Sequence, residues 1–221
     1  MKNSIFKRTG VLIAIILLAL TYFACDDSGV TTTTTNLQFC ITGKLSGWIP
    51  GAGNKKIFAQ ILSNAGRFYW FANCPVDGQG NFNLCLPTLL DTTLYPSDSI
   101  FYSGCTGGNV TFNPPDVRGN ELYNFRVFQD SEIVGNISYC NFTRWDSIKA
   151  GDFEIGFVYV NKTVTMTGSK ICSGDTLQFN GTAQSGWNKF FKHYQRVSPT
   201  SRTILYDMIE PPGASWVYHG G

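Results

Sequence analysis

From Leu37 onward, apolar positions recur with a period of two between turn residues, and no window sustains the 3.6-residue period of an amphipathic helix. The pattern predicts strands over 37–43, 56–62, 67–73, 81–86, 99–102, 122–128, 133–142, 153–160, 163–167, 176–179, 187–194 and 216–218. Alternation is cleanest in Asn81-Phe82-Asn83-Leu84 and in Thr163-Val164-Thr165-Met166-Thr167, where one face is wet and the other dry. Asp77-Gly78-Gln79-Gly80-Asn81, Asn64-Ala65-Gly66 and Ser185-Gly186 sit between such runs and carry residues that accept the positive φ of tight turns. Asn113-Pro114-Pro115-Asp116 cannot continue a ladder, because proline has no N–H to donate. The expectation is an all-β fold of one or two tandem antiparallel β-sandwiches. Split at that boundary, the modules are 37–113 and 117–221; one shared core is the alternative.

Ahead of the strands the pattern changes. Lys2, Lys7 and Arg8 precede an unbroken apolar run from Val11 to Leu20. That run falls short of the ~20 residues a membrane-spanning helix needs and suits a secretory signal instead. Tyr22-Phe23-Ala24-Cys25-Asp26-Asp27 resembles the lipobox of bacterial lipoproteins, with Ala24 and Cys25 matching and Tyr22 standing where leucine is usual. The resemblance implies that 1–24 is cleaved as a signal peptide and that Cys25 is lipidated, with acyl chains of the palmitate kind as a membrane anchor. An ordinary signal peptide beside an unrelated cysteine is the alternative. Residues 25–36, with five consecutive threonines, read as a flexible tether. The implied address is the bacterial cell envelope, at the outer membrane, with the face left open.

Composition narrows the partners. Charged residues make up only 14% of the chain and hydrophobic ones 43%, which excludes a disordered acidic or basic tail. The net charge is +2; without Lys2, Lys7 and Arg8, 14 basic side chains face 15 acidic ones. No long-range field gathers nucleic acid, so the expected partners are the membrane, through the anchor, and glycans or envelope proteins. Beyond Cys25, six cysteines remain: Cys40, Cys74, Cys85, Cys105, Cys140 and Cys172. An even number in an exported chain predicts disulfides, and the simplest arrangement is two bridges in the first module and Cys140 to Cys172 in the second. No CxxC pair is present, so neither a metal nor another cofactor is expected.

Ile41-Thr42-Gly43, Lys56-Ile57-Phe58-Ala59 and Asp77-Gly78-Gln79-Gly80-Asn81-Phe82-Asn83-Leu84 together are similar to carboxypeptidase-regulatory and transthyretin-like sandwiches. In those, a first strand reads "xxGxV" and a later hairpin "DxxGxFxL". The second half, with Thr165-Met166-Thr167-Gly168 and Ser185-Gly186-Trp187-Asn188, is similar to uncharacterised lipoproteins built from such modules. The resemblance implies a sandwich used as a spacer and identifies no catalytic residue.

Chemistry is sparse. GxSxG, HExxH and P-loop motifs are absent, and the chain has two histidines, His193 on a strand and His219 at a terminus expected to fray. Asp77 and Asn81 do not complete a calcium loop, since Gln79 occupies a ligand position. Lys189, Lys192, Arg196 and Arg202 form the one basic cluster, which reads as a solvated strand face. Trp48 and Trp145 lie in loops and are the candidate ligand-binding residues, because exposed aromatic rings stack on sugars. The expectation is therefore a non-enzymatic structural or binding module. Glycan recognition is the runner-up, and a hydrolase built on two carboxylates stands behind it.

Overall fold

The computed structural model describes residues 38–50, 54–63, 66–100, 105 and 107–220. The signal segment, Cys25 and the threonine tether lie outside them. The strands are β1 (Phe39–Ser46), β2 (Lys55–Leu62), β3 (Phe68–Pro75), β4 (Asn81–Leu86), β5 (Tyr95–Pro96), β6 (Gly108–Asn113) and β7 (Arg118–Gln129). They continue with β8 (Glu132–Cys140), β9 (Phe153–Val160), β10 (Val164–Cys172), β11 (Asp175–Ala183), β12 (Gly186–Val197), β13 (Arg202–Asp207) and β14 (Ser215–Gly220). Short 3-10 turns at Asp91–Thr93, Ser97–Ser99 and Trp145–Ser147 are the helical elements among the described residues. No helix there is long and apolar enough to cross a membrane.

All fourteen strands belong to one mixed sheet in the order β4-β1-β14-β8-β7-β9-β12-β13-β11-β10-β6, with β2 on the other edge of β7 and β3 beyond it. Pairing is antiparallel except between β1 and β14 and between β11 and β13. The long strand β7 is the branch point. Gly119–Glu121 pair with β9, Phe125–Gln129 pair with β8, and the opposite edge pairs with β2.

Two large cores fill the fold, with a small third cluster of Ile61, Leu89 and Leu94. One gathers Phe112, Val158, Val160, Met166, Leu177, Phe179, Phe190 and Tyr206; the other gathers Ile41, Ile57, Leu84, Phe125, Val127, Phe157, Phe191 and Trp216. The two meet at β9 and β12. Phe157 and Phe191 point into one core, while Val158 and Phe190, their chain neighbours, point into the other. A strand buried on both faces must be apolar at successive positions rather than alternately, and Gly156-Phe157-Val158 and Phe190-Phe191 satisfy that requirement.

This layer corrects the division at 113–117. β2 from the first half pairs with β7 from the second, β1 with β14, and β6 with β10, so the proline segment does not separate two bodies. Residues Gln38–Gly221 form one compact unit. The prolines do end β6, but the chain turns there and re-enters the same sheet as β7.

The strand expectations hold closely at β2, β4 and β9. They missed the two-residue β5, and also β6 and β13, whose inward residues are few: Phe112 in β6, Ile204 and Tyr206 in β13. Residues 97–99 form a 3-10 turn where a strand was expected to start, and 101–104 lie outside the described residues.

Two disulfides are present among the described residues. Cys40–Cys85 links directly opposed positions of β1 and β4, and Cys105–Cys172 ties the segment before β6 to the end of β10. Cys74 and Cys140 are buried free thiols. The expected Cys140–Cys172 bridge is therefore wrong: Cys172 is bonded to Cys105, and β8 and β10 are not neighbours in the sheet, with β9, β12, β13 and β11 between them.

Gly156 faces Phe190 across the β9–β12 ladder, and a Cβ there would lie 2.1 Å from the ring. Gly156→Ala is expected to destabilise the protein by about 1–3 kcal/mol, because a packed core must shift to admit the methyl. Thermal unfolding would show it as a lowered Tm, and an unchanged Tm would mean that Phe190 has somewhere else to go.

Candidate functional site

The branching of β7 creates the first site. Tyr123 is an extra residue opposite the Gln60–Ile61 step of β2, where the register shifts, so β7 bends there. On the β8/β9 edge, residues 122–124 fall between the β9 pairing and the β8 pairing. A bridge between Cys140 and Glu154 closes the far end of the gap. The result is a small cavity of about 100 Å³ whose wall includes Asn124, Ser138, Trp145, Glu154 and Lys192.

Three charged side chains meet beside it. Lys192 Nζ lies 3.0 Å from Glu121 and 3.5 Å from Glu154, with all three side chains at most one-fifth exposed. Burial pushes the Glu121 carboxyl above the usual carboxylate range, against the pull of Lys192. The Tyr194 hydroxyl donates to Glu154 at 3.3 Å. Asn124 Oδ1 is buried and has no hydrogen-bond partner.

Ser138 and His219 lie on the paired strands β8 and β14. Ser138 Oγ is 2.7 Å from His219 Nε2. The Thr143 backbone is a second hydrogen-bond partner of the imidazole, while burial holds the ring below the ordinary histidine range. In the tautomer protonated at Nδ1, Nε2 is the acceptor of the Ser138 hydroxyl. The Cys140 thiol, 3.4 Å from Ser138 Oγ, donates to the Phe142 carbonyl at 3.0 Å. The sequence-based expectation that His219 frays fails, because β14 is held between β1 and β8.

The second site is aromatic. On the outer face of β2, β3 and β7, Phe58, Trp70 and Phe128 form a three-ring cluster with centroids 4.8–6.1 Å apart. Phe68 and Tyr123 make a neighbouring pair at 4.8 Å. Trp70 is 43% exposed, Phe68 52% and Tyr123 57%. A groove of about 540 Å³ adjoins the cluster, lined by Asn54, Lys55, Lys56, Phe58, Phe128 and Asp130 among others.

The two tryptophans singled out from sequence divide. Trp145 is 48% exposed, packs edge-on against Phe142 and leans on the His219 ring. Trp48 is half-buried over Gly80, edge-on to Tyr218, with the Lys55 ammonium 4.8 Å above its ring. It serves the β3–β4 turn more than a ligand. Trp70 was missed, although a signal existed: Phe68-Tyr69-Trp70-Phe71 is four consecutive aromatics, and a strand with one covered face cannot bury them all.

The remaining candidates resolve into structure. Asp77 accepts from the backbone N–H groups of Gln79 and Asn81 and from the Asn81 side chain, which hold its carboxyl below the usual range. His193 Nε2 is 3.2 Å from Asp207 on the adjacent strand. The basic cluster disperses, with Lys189 facing Glu210 and Lys192 turned to its two glutamates. Among the described residues no group of three or more His, Cys, Asp or Glu side chains could hold a metal. The chain matches no known family model, no curated protein and no solved structure.

Proposed function

We propose that the protein is a lipoprotein of the bacterial cell envelope, anchored through Cys25 at the outer membrane, whose folded part is a binding module for glycans. The cluster of exposed Trp70 with half-buried Phe58 and Phe128, beside exposed Phe68 and Tyr123, carries the binding half of this reading. Clustered aromatic rings left in water on a monomer mark contact surfaces, and their flat faces fit the C–H faces of sugars. The adjoining groove has the volume of a ligand site and combines aromatic floor with Asn54, Lys55, Lys56 and Asp130 as hydrogen-bonding groups. The anchor rests on the lipobox-like segment, and the spacer role on the resemblance carried by Gly43 and the 77–84 hairpin.

The carboxylate-hydrolase reading has less support. Glu121 and Glu154 do approach each other beside Trp145, but the Lys192 ammonium occupies the interval where a glycosidic bond would have to lie.

Binding of the tetherless chain to a glycan array tests the proposal. Trp70→Ala is expected to weaken binding about 30-fold, the loss of a central stacking residue worth about 2 kcal/mol, while Trp48→Ala leaves it unchanged. Wild-type chain that binds no glycan returns the module to a purely structural role. Mass spectrometry of the mature N-terminus tests the anchor separately, since an unacylated Cys25 removes it.

A further inference from the structure

We propose that Ser138 and His219 form an ester-hydrolysing pair at the fork of the sheet, with a small acyl ester as substrate. This activity is independent of glycan binding at the aromatic face. Three features of the fork support it.

First, nucleophile, base and orienting group are in place. Ser138 Oγ lies 2.7 Å from His219 Nε2, within the reach a proton transfer needs. The Thr143 backbone is a further hydrogen-bond partner of His219, and in the tautomer protonated at Nδ1 the Nε2 atom accepts from Ser138. The roles are those of a serine–histidine hydrolase, with the Thr143 backbone in place of the usual carboxylate. The sequence gives no hint of the pairing, because the two residues are 81 positions apart and meet only through the β8–β14 register.

Second, Ser138 faces a cavity. Its volume of about 100 Å³ has room for an acetyl-sized group. Trp145 forms part of the wall and also packs on the base.

Third, the cavity holds polar groups a substrate could use. The Asn124 amide carries a buried oxygen with no partner, and a buried polar atom left unpaired points to a missing donor. A hydroxyl on the alcohol side of the ester supplies one. The Lys192 ammonium lies in the same wall, held by Glu121 and Glu154.

The reaction needs only water as co-reactant. As Ser138 Oγ bonds to the acyl carbon, its proton passes to His219 Nε2. The tetrahedral adduct collapses by breaking the bond to the alcohol oxygen, which leaves with that proton. Water, deprotonated by His219, then attacks the acyl-serine, and the carboxylic acid and free Ser138 are released. Cys140 is a poor competing nucleophile, because burial raises its thiol and its proton is directed at the Phe142 carbonyl.

The test is labelling of the full chain with a small alkyl fluorophosphonate, together with turnover of p-nitrophenyl acetate. The expected result is one phosphonyl group on the peptide containing Ser138 and acetate turnover that Ser138→Ala reduces at least about 100-fold. His219→Ala, with folding checked by circular dichroism, is expected to slow labelling by a similar factor. An unlabelled wild-type Ser138 overturns the proposal even if the histidine variant does not fold, and so does an adduct confined to Cys140 or another residue. Labelling of Ser138 at an unchanged rate in a folded His219→Ala variant overturns the role of the base.

Discussion

Replacing Cys40, Cys85, Cys105 and Cys172 together with alanine should abolish stable folding at 37 °C. The bridges close loops of 45 and 67 residues, and restricting the unfolded chain over such loops is worth about 4 kcal/mol each. A loss of about 8 kcal/mol falls within the whole stability of an ordinary domain, about 5–15 kcal/mol. Urea unfolding followed by tryptophan fluorescence, with and without a reductant, measures it. A peptide map under non-reducing conditions checks the connectivity and should show the 40–85 and 105–172 links. Cys74 and Cys140 should resist alkylation until the protein is unfolded. Both thiols are buried, and burial pushes Cys74 up to about 11, so little thiolate exists near neutral pH. A native protein that loses neither activity nor folding on full reduction would contradict the staple role, and a 140–172 link would contradict the fold.

Phe190→Ala and Phe191→Ala should each destabilise by about 3–5 kcal/mol, the usual result of emptying a fully buried phenylalanine site. Both rings are essentially inaccessible, and they lie on opposite faces of β12. The shape of the transition is the more informative result. Because β12 and β9 wall both cores, either substitution should shift one cooperative unfolding transition as a whole. Two separate modules would respond differently: one substitution would move one step of a two-step curve and leave the other in place. Differential scanning calorimetry of the two variants decides between them.

The aromatic face and the fork relate to the sequence in different ways. Four aromatics in a row at 68–71 already imply that one ring or more faces outward. Which rings do so depends on register shifts in β2, β3 and β7, which change the inward and outward parity partway along each strand. Alternation read along a single chain has no means of detecting an extra residue that only a partner strand defines. The fork was wholly hidden. Ser138 sits in a run that reads as ordinary strand, and His219 lies two residues before the last position.

The cysteines show the same division. An even six predicted oxidation, and four of the six are bonded, yet sequence proximity suggested the wrong partner for Cys172. Spacing along the chain limits which cysteines can meet far less than strand order does.

What the residues alone determined is the class of structure. Period-two alternation, glycine-rich turns and a non-ladder proline segment are local signals, set by backbone geometry within a few residues, and they specified an all-β chain and the bounds of several strands. What only the tertiary structure decided is which strands are neighbours. Sheet hydrogen bonds look alike at every position, so order and register come from burying apolar faces against partners distant in the chain. That process merged two expected modules into one body around β9 and β12, left Trp70 in water, and brought Ser138 to His219.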